Sequence, residues 1–229
     1  MKKIGIIGGS GLDNPKIIKS PKDLLIDTPY GKTSSVITEG KIEGEDVFLM
    51  ARHGRDHSIT PSNVNFRANI WGLKQLGVSE IIAVAAVGGI SSKMAPAHIA
   101  IPDQIIDYTY GREHTIYDAN SSGLDHIDFT FPYSPSLRQE LLRAAETANI
   151  AALDQGVYGA TQGPRLESAA EIQRYKRDGC DLVGMTGMPE AALAREFEID
   201  YACLALSVNW AAGLSDSIIT MDDIHQAIE

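Results

Sequence analysis

The sequence predicts an α/β fold, because short apolar runs alternate along its 229 residues with segments of helical periodicity. Residues 81–87 form an uninterrupted apolar run, which is typical of a central strand buried on both faces. Residues 64–76 place apolar side chains at helical spacing and end at Gly77, a residue that often terminates helices. With 44% hydrophobic and 22% charged residues, residues 1–229 can fill the core of one domain.

Composition argues against several classes of partner. The formal charge of −10 disfavours a nucleic-acid surface, which needs clustered basic residues. No apolar run approaches the roughly 20 residues that span a bilayer, and the N-terminus has no targeting pattern, so we expect an unprocessed cytoplasmic protein without a membrane partner. Cys180 and Cys203 lack CxxC spacing and the six histidines form no ligand pair, so we expect free buried thiols and no metal.

The first strand, residues 4–7, leads into a glycine-rich turn, Gly8-Gly9-Ser10-Gly11. Such a turn allows a close approach of backbone to ligand, or it is simply structural. It does not complete the dinucleotide motif GxGxxG, because Asn14 stands where the third glycine would be.

The next strong strand, residues 47–50, ends at Ala51-Arg52-His53-Gly54. A guanidinium and an imidazole at a strand end form a candidate anion site, with both side chains as donors, or else a solvated rim. Arg-His-Gly is also found in histidine phosphatases, in which the histidine is phosphorylated, although there it follows the first strand. That activity remains an alternative.

The strand at residues 81–87 ends in small residues, Ala85, Ala86 and Gly88-Gly89, which would let backbone N–H groups face a ligand. Residues 99–108 alternate like one strand. Residues 111–135 form a long polar and aromatic loop containing His126, which is either a contact region or solvated surface. A helix is predicted to begin at Ser134-Pro135.

Further strands are predicted at residues 157–161, 182–183 and 201–208. Glu167 follows the first of these, as a helix N-terminal residue or a ligand group. Thr186 follows the second and precedes a helix opened by Pro189, an arrangement suited to an anion or an ordinary junction. Asn209 ends the third, and Met221 lies at the start of a final helix, in its core or at a site.

These motifs occur in the order found in the trimeric purine nucleoside phosphorylase and methylthioadenosine phosphorylase family, which the chain resembles from Ile4 to about Ile224. The shared motifs are Ile-Ile-Gly-Gly-Ser-Gly-Leu, Arg-His-Gly, Gly-Pro-x-Leu-Glu and Met-Thr followed by Pro-Glu. Gly187-Met188 replaces the usual Thr-Val of the last motif. The resemblance implies a single three-layer domain around a mixed, partly barrel-closed sheet flanked by helices, and a homotrimer.

The resemblance also implies a phosphate site and a sugar site. Its phosphate residues would be Ser10, Arg52, His53, Ala86 through its amide, and Thr186. Met185 and Ala85 would line the ribose, although the family usually has threonine at Ala85. Two residues would contact the sugar 5′ group, namely Met221 and, from the neighbouring subunit, His126.

For the base, the resemblance implies a 6-oxopurine. Glu167 would accept the purine N1–H, Asn209 would bind N7 and O6 as the departing base gains charge, and Ala211 replaces an aspartate of the adenine-specific enzymes. An apolar Met221 would favour a methylthio group over a hydroxyl.

The implied reaction is phosphorolysis of S-methyl-5′-thioinosine to hypoxanthine and 5-methylthioribose 1-phosphate, with no cofactor besides the co-substrate phosphate. Phosphorolysis of inosine or guanosine and phosphorolysis of methylthioadenosine are alternatives. From other classes, a histidine phosphatase with a phosphohistidine at His53 and a non-catalytic nucleoside-binding protein also remain open.

Overall fold

A computed structural model describes residues 2–9, 18–118, 123–215 and 219. Its described strands form one mixed sheet. The strands are β1 (Ile4–Gly8), β2 (Lys19–Leu24), β3 (Ile37–Ile42), β4 (Glu45–Ala51), β5 (Glu80–Gly89), β6 (Ile99–Ala100), β7 (Gln104–Asp107), β8 (Ala152–Leu153), β9 (Val157–Ala160), β10 (Leu182–Gly184) and β11 (Asp200–Trp210).

The sheet is organised around β5, which is the predicted central strand. β5 pairs in parallel with β1 and β11 and antiparallel with β10. The main strand order is β2-β3-β4-β1-β5-β10-β9-β7, and β11 begins a branch that continues through β6 to β8. Apolar residues of β5 such as Ile81 and Ala83 are almost fully buried, which agrees with their place in an uninterrupted apolar run.

The fold class, a mixed α/β sheet flanked by helices, is as predicted, but the sheet is open. Among the described strands, no pairing joins the β2 edge to the β7 edge or to the β8 end of the branch. The expected partial closure into a barrel is therefore corrected to a branched open sheet. Closure needs continuous hydrogen bonding around the sheet, and here the pairing diverges at β5.

The helices are α1 (Phe66–Gln75), α2 (Pro135–Thr147), α3 (Ala169–Arg177) and α4 (Gly187–Glu196). Asn65 caps α1 by accepting from the Ala68 amide, and Ser134 caps α2 by accepting from the Leu137 amide, so both predicted starts are close to those found. α4 packs against α1 and β11. This packing holds the start of α4 beside the ends of the central strands.

The single strand predicted at residues 99–108 is wrong. Pro102 interrupts it, because proline has no N–H for a sheet hydrogen bond. The two parts lie in different places, since β6 pairs with β11 and β8 whereas β7 pairs with β9. The described part of residues 111–134 contains no helix or strand, as predicted. No helix in the described ranges is long and apolar enough to cross a membrane.

Candidate active site

A cavity of about 340 Å³ lies where β4, β5, β10 and β11 end or approach one another. It brings together most of the residues predicted to form a site, although they come from distant parts of the chain. Those that line it are Arg52, His53, Ala85, Ala86, Glu167, Met185, Thr186, Asn209 and Ala211.

Two predicted residues, Ser10 and Met221, lie outside the described residues, together with the predicted final helix. Of the predicted residues that the structure describes, His126 is not among those that line the cavity. His126 is exposed in the segment that precedes α2. Its predicted role concerns the pocket of a neighbouring subunit, so that role stays a prediction.

Arg52 follows β4 and is almost fully buried, with 1% of its surface exposed. Its Nε and Nη2 donate to the two carboxylate oxygens of Glu190 at 2.7 and 2.9 Å, and Nη1 donates to the Val84 carbonyl at 3.1 Å. Burial alone would lower the pKa of Arg52, but the charge and hydrogen bonds of Glu190 raise it above its ordinary value. Of the five N–H donors of the guanidinium, two remain for a ligand.

His53 is a neutral imidazole at physiological pH. Burial, followed by the charge of Arg52, lowers its pKa to about 4. Its Nδ1 lies 2.9 Å from the Ile59 carbonyl oxygen, which can only accept, so Nδ1 carries the proton. Nε2 is left with a lone pair. The prediction that His53 adds a donor to an anion site is therefore corrected, because Nε2, the nitrogen that Ile59 does not contact, is an acceptor.

Thr186 is the N-cap residue of α4 and is buried, with 6% exposed. Its hydroxyl makes no capping hydrogen bond to the helix. Met188 departs from helical geometry with φ −120° and ψ 139°, and the regular helix follows from Pro189, the residue predicted to open it. Met185 and Thr186, which precede this irregular turn, both line the cavity.

Two further polar side chains line the cavity, one from the loop before α3 and one from β11. Glu167 is half-buried in the loop before α3, and loss of solvent raises its pKa above the ordinary 4.5. Asn209 lies opposite Gly88 just after an irregularity in the pairing of β11 with β5. Its Nδ2 donates to the Trp210 carbonyl at 2.7 Å, which leaves its Oδ1 and one N–H available.

The sequence did not indicate every residue of the site. Glu190 follows Pro189, the residue predicted to open a helix, and was given no role at the site, yet it is fully buried and pairs with Arg52. Tyr201 Oη donates to the same carboxylate at 2.8 Å. Neither contact has a local sequence signal, because the partners lie on different elements, 138 positions apart for Arg52 and Glu190 and 11 positions apart for Tyr201 and Glu190. Further lining residues that the sequence did not indicate include His57, Thr60, Leu166, Val208 and Ile219.

The described residues offer no cluster of three or more histidine, cysteine, aspartate or glutamate side chains arranged for a metal ion. Five of the polar lining residues fall into two sets by their chemistry. Arg52, His53 and Thr186 form one, suited to an anion, and Glu167 and Asn209 form the other, suited to a ligand with both N–H and carbonyl groups.

A family model described as the phosphorylase superfamily matches residues 3–229. The chain belongs to the phosphorylase superfamily. Among superfamily members, it is 51% identical over 228 residues to a probable S-methyl-5′-thioinosine phosphorylase from Pseudomonas syringae pv. tomato, covering 100% of this chain and 93% of that one. It is 43% identical to a 6-oxopurine nucleoside phosphorylase from Pyrococcus furiosus, covering 100% and 87%.

Solved structures of the superfamily agree with the fold. The methylthioadenosine phosphorylase of Schistosoma mansoni in complex with adenine superposes with a TM-score of 0.96 at 32% identity, covering 100% of this chain and 86% of that one. The predicted family is thus confirmed by both sequence and structure.

Proposed function

We propose that this superfamily member catalyses the phosphorolysis of S-methyl-5′-thioinosine to hypoxanthine and 5-methylthioribose 1-phosphate. The observation that carries the proposal is the presence of Glu167 and Asn209 in one cavity with the anion set of Arg52, His53 and Thr186. Relatives named as probable S-methyl-5′-thioinosine phosphorylases support the substrate.

Glu167 and Asn209, here called the base set, favour a 6-oxopurine over adenine. A carboxylate of Glu167 can accept the N1–H of hypoxanthine, whereas N1 of adenine is an acceptor that would repel it. The free Oδ1 and N–H of Asn209 match N7–H and O6 of the departing base. Ala211, buried at 2% exposure, brings no carboxyl group that could protonate N7 and accept from an adenine amino group.

The anion set suits phosphate as the nucleophile. The remaining N–H donors of Arg52, the hydroxyls of Thr186 and Ser10, and the Ala86 amide would hold three oxygens of the phosphate. The Nε2 lone pair of neutral His53 would accept the P–O–H proton of hydrogen phosphate. Met185 and Ala85 would contact the ribose between the two sets.

In the reaction, the C1′–N9 bond breaks as a phosphate oxygen bonds to C1′ from the opposite face of an oxocarbenium-like ribosyl group. The electron pair of the broken bond moves to the purine, where the Asn209 N–H stabilises the charge that develops at O6 and Glu167 orients the base through N1–H. Hydrogen phosphate loses its proton as it becomes the sugar phosphate ester, and one proton from solvent binds N7 to complete neutral hypoxanthine. No enzyme group becomes covalently attached, so positioning and electrostatic stabilisation would provide most of the rate. We propose that no metal or organic cofactor takes part.

Phosphorolysis of inosine and guanosine is the nearest alternative, and the Pyrococcus furiosus relative supports it. The distinction depends on the group around the sugar 5′ position. Met221 would make that pocket apolar and so favour a methylthio group, because a ribose hydroxyl would be left without a partner at a cost of about 1 to 3 kcal/mol.

We also propose that the protein is a cytoplasmic homotrimer without nucleic-acid or membrane partners. The segment before α2 exposes large apolar side chains that an interface would cover, with Tyr110 71%, Leu124 64% and Phe131 62% exposed. His126 lies in this segment and would reach the 5′ pocket of the neighbouring subunit.

The reaction class is tested by incubating purified protein with methylthioinosine in the presence and absence of phosphate and separating the products. We expect equal amounts of hypoxanthine and a sugar phosphate, and neither product without phosphate. Release of the base at the same rate with and without phosphate would exclude phosphorolysis. A labelled phosphohistidine formed from a phosphate ester would instead favour the histidine phosphatase, and binding without turnover would favour a nucleoside-binding protein.

A further inference from the structure

A buried ion pair supports the anion set from within the core. Arg52 and Glu190 are 1% and 0% exposed, and two hydrogen bonds join the guanidinium edge to both carboxylate oxygens. Tyr201 Oη donates to Glu190 Oε1 at 2.8 Å. The three side chains come from the end of β4, the first turn of α4 and the start of β11. The proposed chemistry uses Arg52 and gives no role to Glu190.

The pair determines the charge that an anion meets. Of the described residues that line the cavity, Arg52 is the sole lysine or arginine. His53 is neutral, and Glu167 carries negative charge when ionised. Because Glu190 cancels the formal charge of Arg52, these described groups present no net positive charge to phosphate.

We propose that Glu190 is a counter-charge that limits the anion affinity of the cavity, so that phosphate is held by directed hydrogen bonds and not by net charge. The inference rests on the proposed phosphorolysis. Limiting the anion affinity has a functional reason, because both phosphate and the sugar phosphate product are dianions at neutral pH. A site with uncompensated positive charge would bind both tightly and release the product slowly.

The proposal predicts that replacing Glu190 by glutamine changes the anion affinity in the opposite direction from that expected if Glu190 had a purely structural role. Glutamine at position 190 has the shape of glutamate, its carbonyl can accept from Arg52, and its amide can donate to Tyr201 Oη. Glu190→Gln therefore loses one hydrogen bond and one negative charge. Across the width of one guanidinium, repulsion between the carboxylate and a dianion outweighs one hydrogen bond. Anion binding should become tighter, whereas loss of an orienting contact alone would weaken it.

The experiment measures sulfate binding by calorimetry and the KM for phosphate in wild type and Glu190→Gln. We expect the Kd for sulfate and the KM for phosphate to fall about tenfold, with the Kd for nucleoside unchanged. Glu190→Asp keeps the charge and should bind sulfate within about threefold of wild type. Unchanged or weaker sulfate binding by Glu190→Gln would overturn the proposal.

Glu80→Gln is the matched control. Glu80 is also a buried glutamate, at 5% exposure, and pairs with Lys2 at 2.5 Å, but it lies at the start of β5, away from the cavity. It should leave sulfate binding unchanged. If Glu80→Gln increased the sulfate affinity as much as Glu190→Gln, the effect would come from the overall charge of the protein, which would contradict the proposal.

Removing one partner of a buried pair is destabilising, so Glu190→Gln should be purified with sulfate present. Sulfate should then raise its melting temperature more than that of wild type, and an equal or smaller rise would contradict the proposal.

If this variant does not fold, Arg52→Gln is compared at about pH 10, where even an unpaired buried carboxyl group is ionised, with the double variant Arg52→Gln/Glu190→Gln. The double variant should bind sulfate about tenfold more tightly, because its carboxylate is gone; equal binding would overturn the proposal. Lack of phosphate-dependent turnover in wild type would refute the proposed function itself, a result separate from these comparisons.

Discussion

The carbonyl oxygen of Ile59 accepts the Nδ1–H of His53 at 2.9 Å, and this contact fixes which nitrogen of the imidazole carries the proton. Together with burial and the neighbouring charge of Arg52, it leaves a neutral ring whose pKa is about 4. The anion set therefore contains an acceptor as well as donors, which suits a phosphate that retains one proton.

The low pKa of His53 predicts a specific pH dependence of stability. The unfolded chain protonates this histidine near pH 6.5, but the folded protein does so only near pH 4. Between these values the unfolded state binds more protons, so the free energy of unfolding decreases as the pH is lowered from 6.5 to 4, by up to about 3 kcal/mol from this group. His53→Gln should show a shallower fall in urea unfolding between pH 6.5 and 4. His98→Gln, at an exposed site, should follow wild type, and equal slopes in all three would contradict the assignment.

The raised pKa of Glu167 predicts the acid limb of activity. Only the carboxylate accepts the purine N1–H as a charged group, so kcat/KM for methylthioinosine should fall as pH drops through a pKa above 4.5. Glu167→Gln should lower kcat/KM at neutral pH about 100-fold and lose this limb. Glu146→Gln on the exposed side of α2 is the control. An acid limb that persists in Glu167→Gln would exclude Glu167 as its source.

Asn209→Asp should change the choice of base. A carboxylate at this position repels O6 of hypoxanthine, whereas a carboxyl group can protonate N7 of adenine and accept from its amino group. The ratio of kcat/KM for methylthioinosine to that for methylthioadenosine should fall about 100-fold. Asn149→Asp, after the end of α2, should leave the ratio unchanged. If Asn209→Asp slows both substrates equally, Asn209 does not read the base.

Gly89 should be intolerant of any side chain. A Cβ at this position would lie 1.7 Å from the Met94 carbonyl oxygen, a backbone atom that a rotamer change cannot move. Gly89→Ala should lower the free energy of unfolding by about 3 kcal/mol in urea denaturation. Gly72→Ala in α1 meets only side-chain atoms, the nearest at 3.2 Å, and should cost much less. Equal losses in the two variants would contradict the steric argument.

The central part of the fold could be predicted because its signals are local. The apolar run of β5 and the capping residues Asn65 and Ser134 mark their elements directly. β2 was missed because nearly all of its residues are exposed and show no alternation. α3 was anticipated only by the interpretation of Glu167 as a helix N-terminal residue, because only Ile172 and Tyr175 among its own residues are buried.

The site was predictable where a residue type at a strand end has a chemical meaning, as with Arg52, Thr186 and Asn209. Their presence in one cavity follows from the topology, although their roles stay proposals. The pairing of Arg52 with Glu190 was not predictable, because 138 residues separate the partners. The tautomer of His53 was also not predictable, since it depends on the loop conformation that places the Ile59 carbonyl oxygen beside Nδ1 of the ring.

The most direct test of methylthioinosine as substrate is the kcat/KM of the purified wild-type protein for methylthioinosine, inosine and methylthioadenosine at saturating phosphate. We expect the kcat/KM for methylthioinosine to exceed that for inosine because of the apolar 5′ pocket. It should also exceed the kcat/KM for methylthioadenosine because of Glu167 and Asn209. A preference for inosine would contradict the proposed role of Met221. A preference for methylthioadenosine would contradict the base selection on which the proposed function depends.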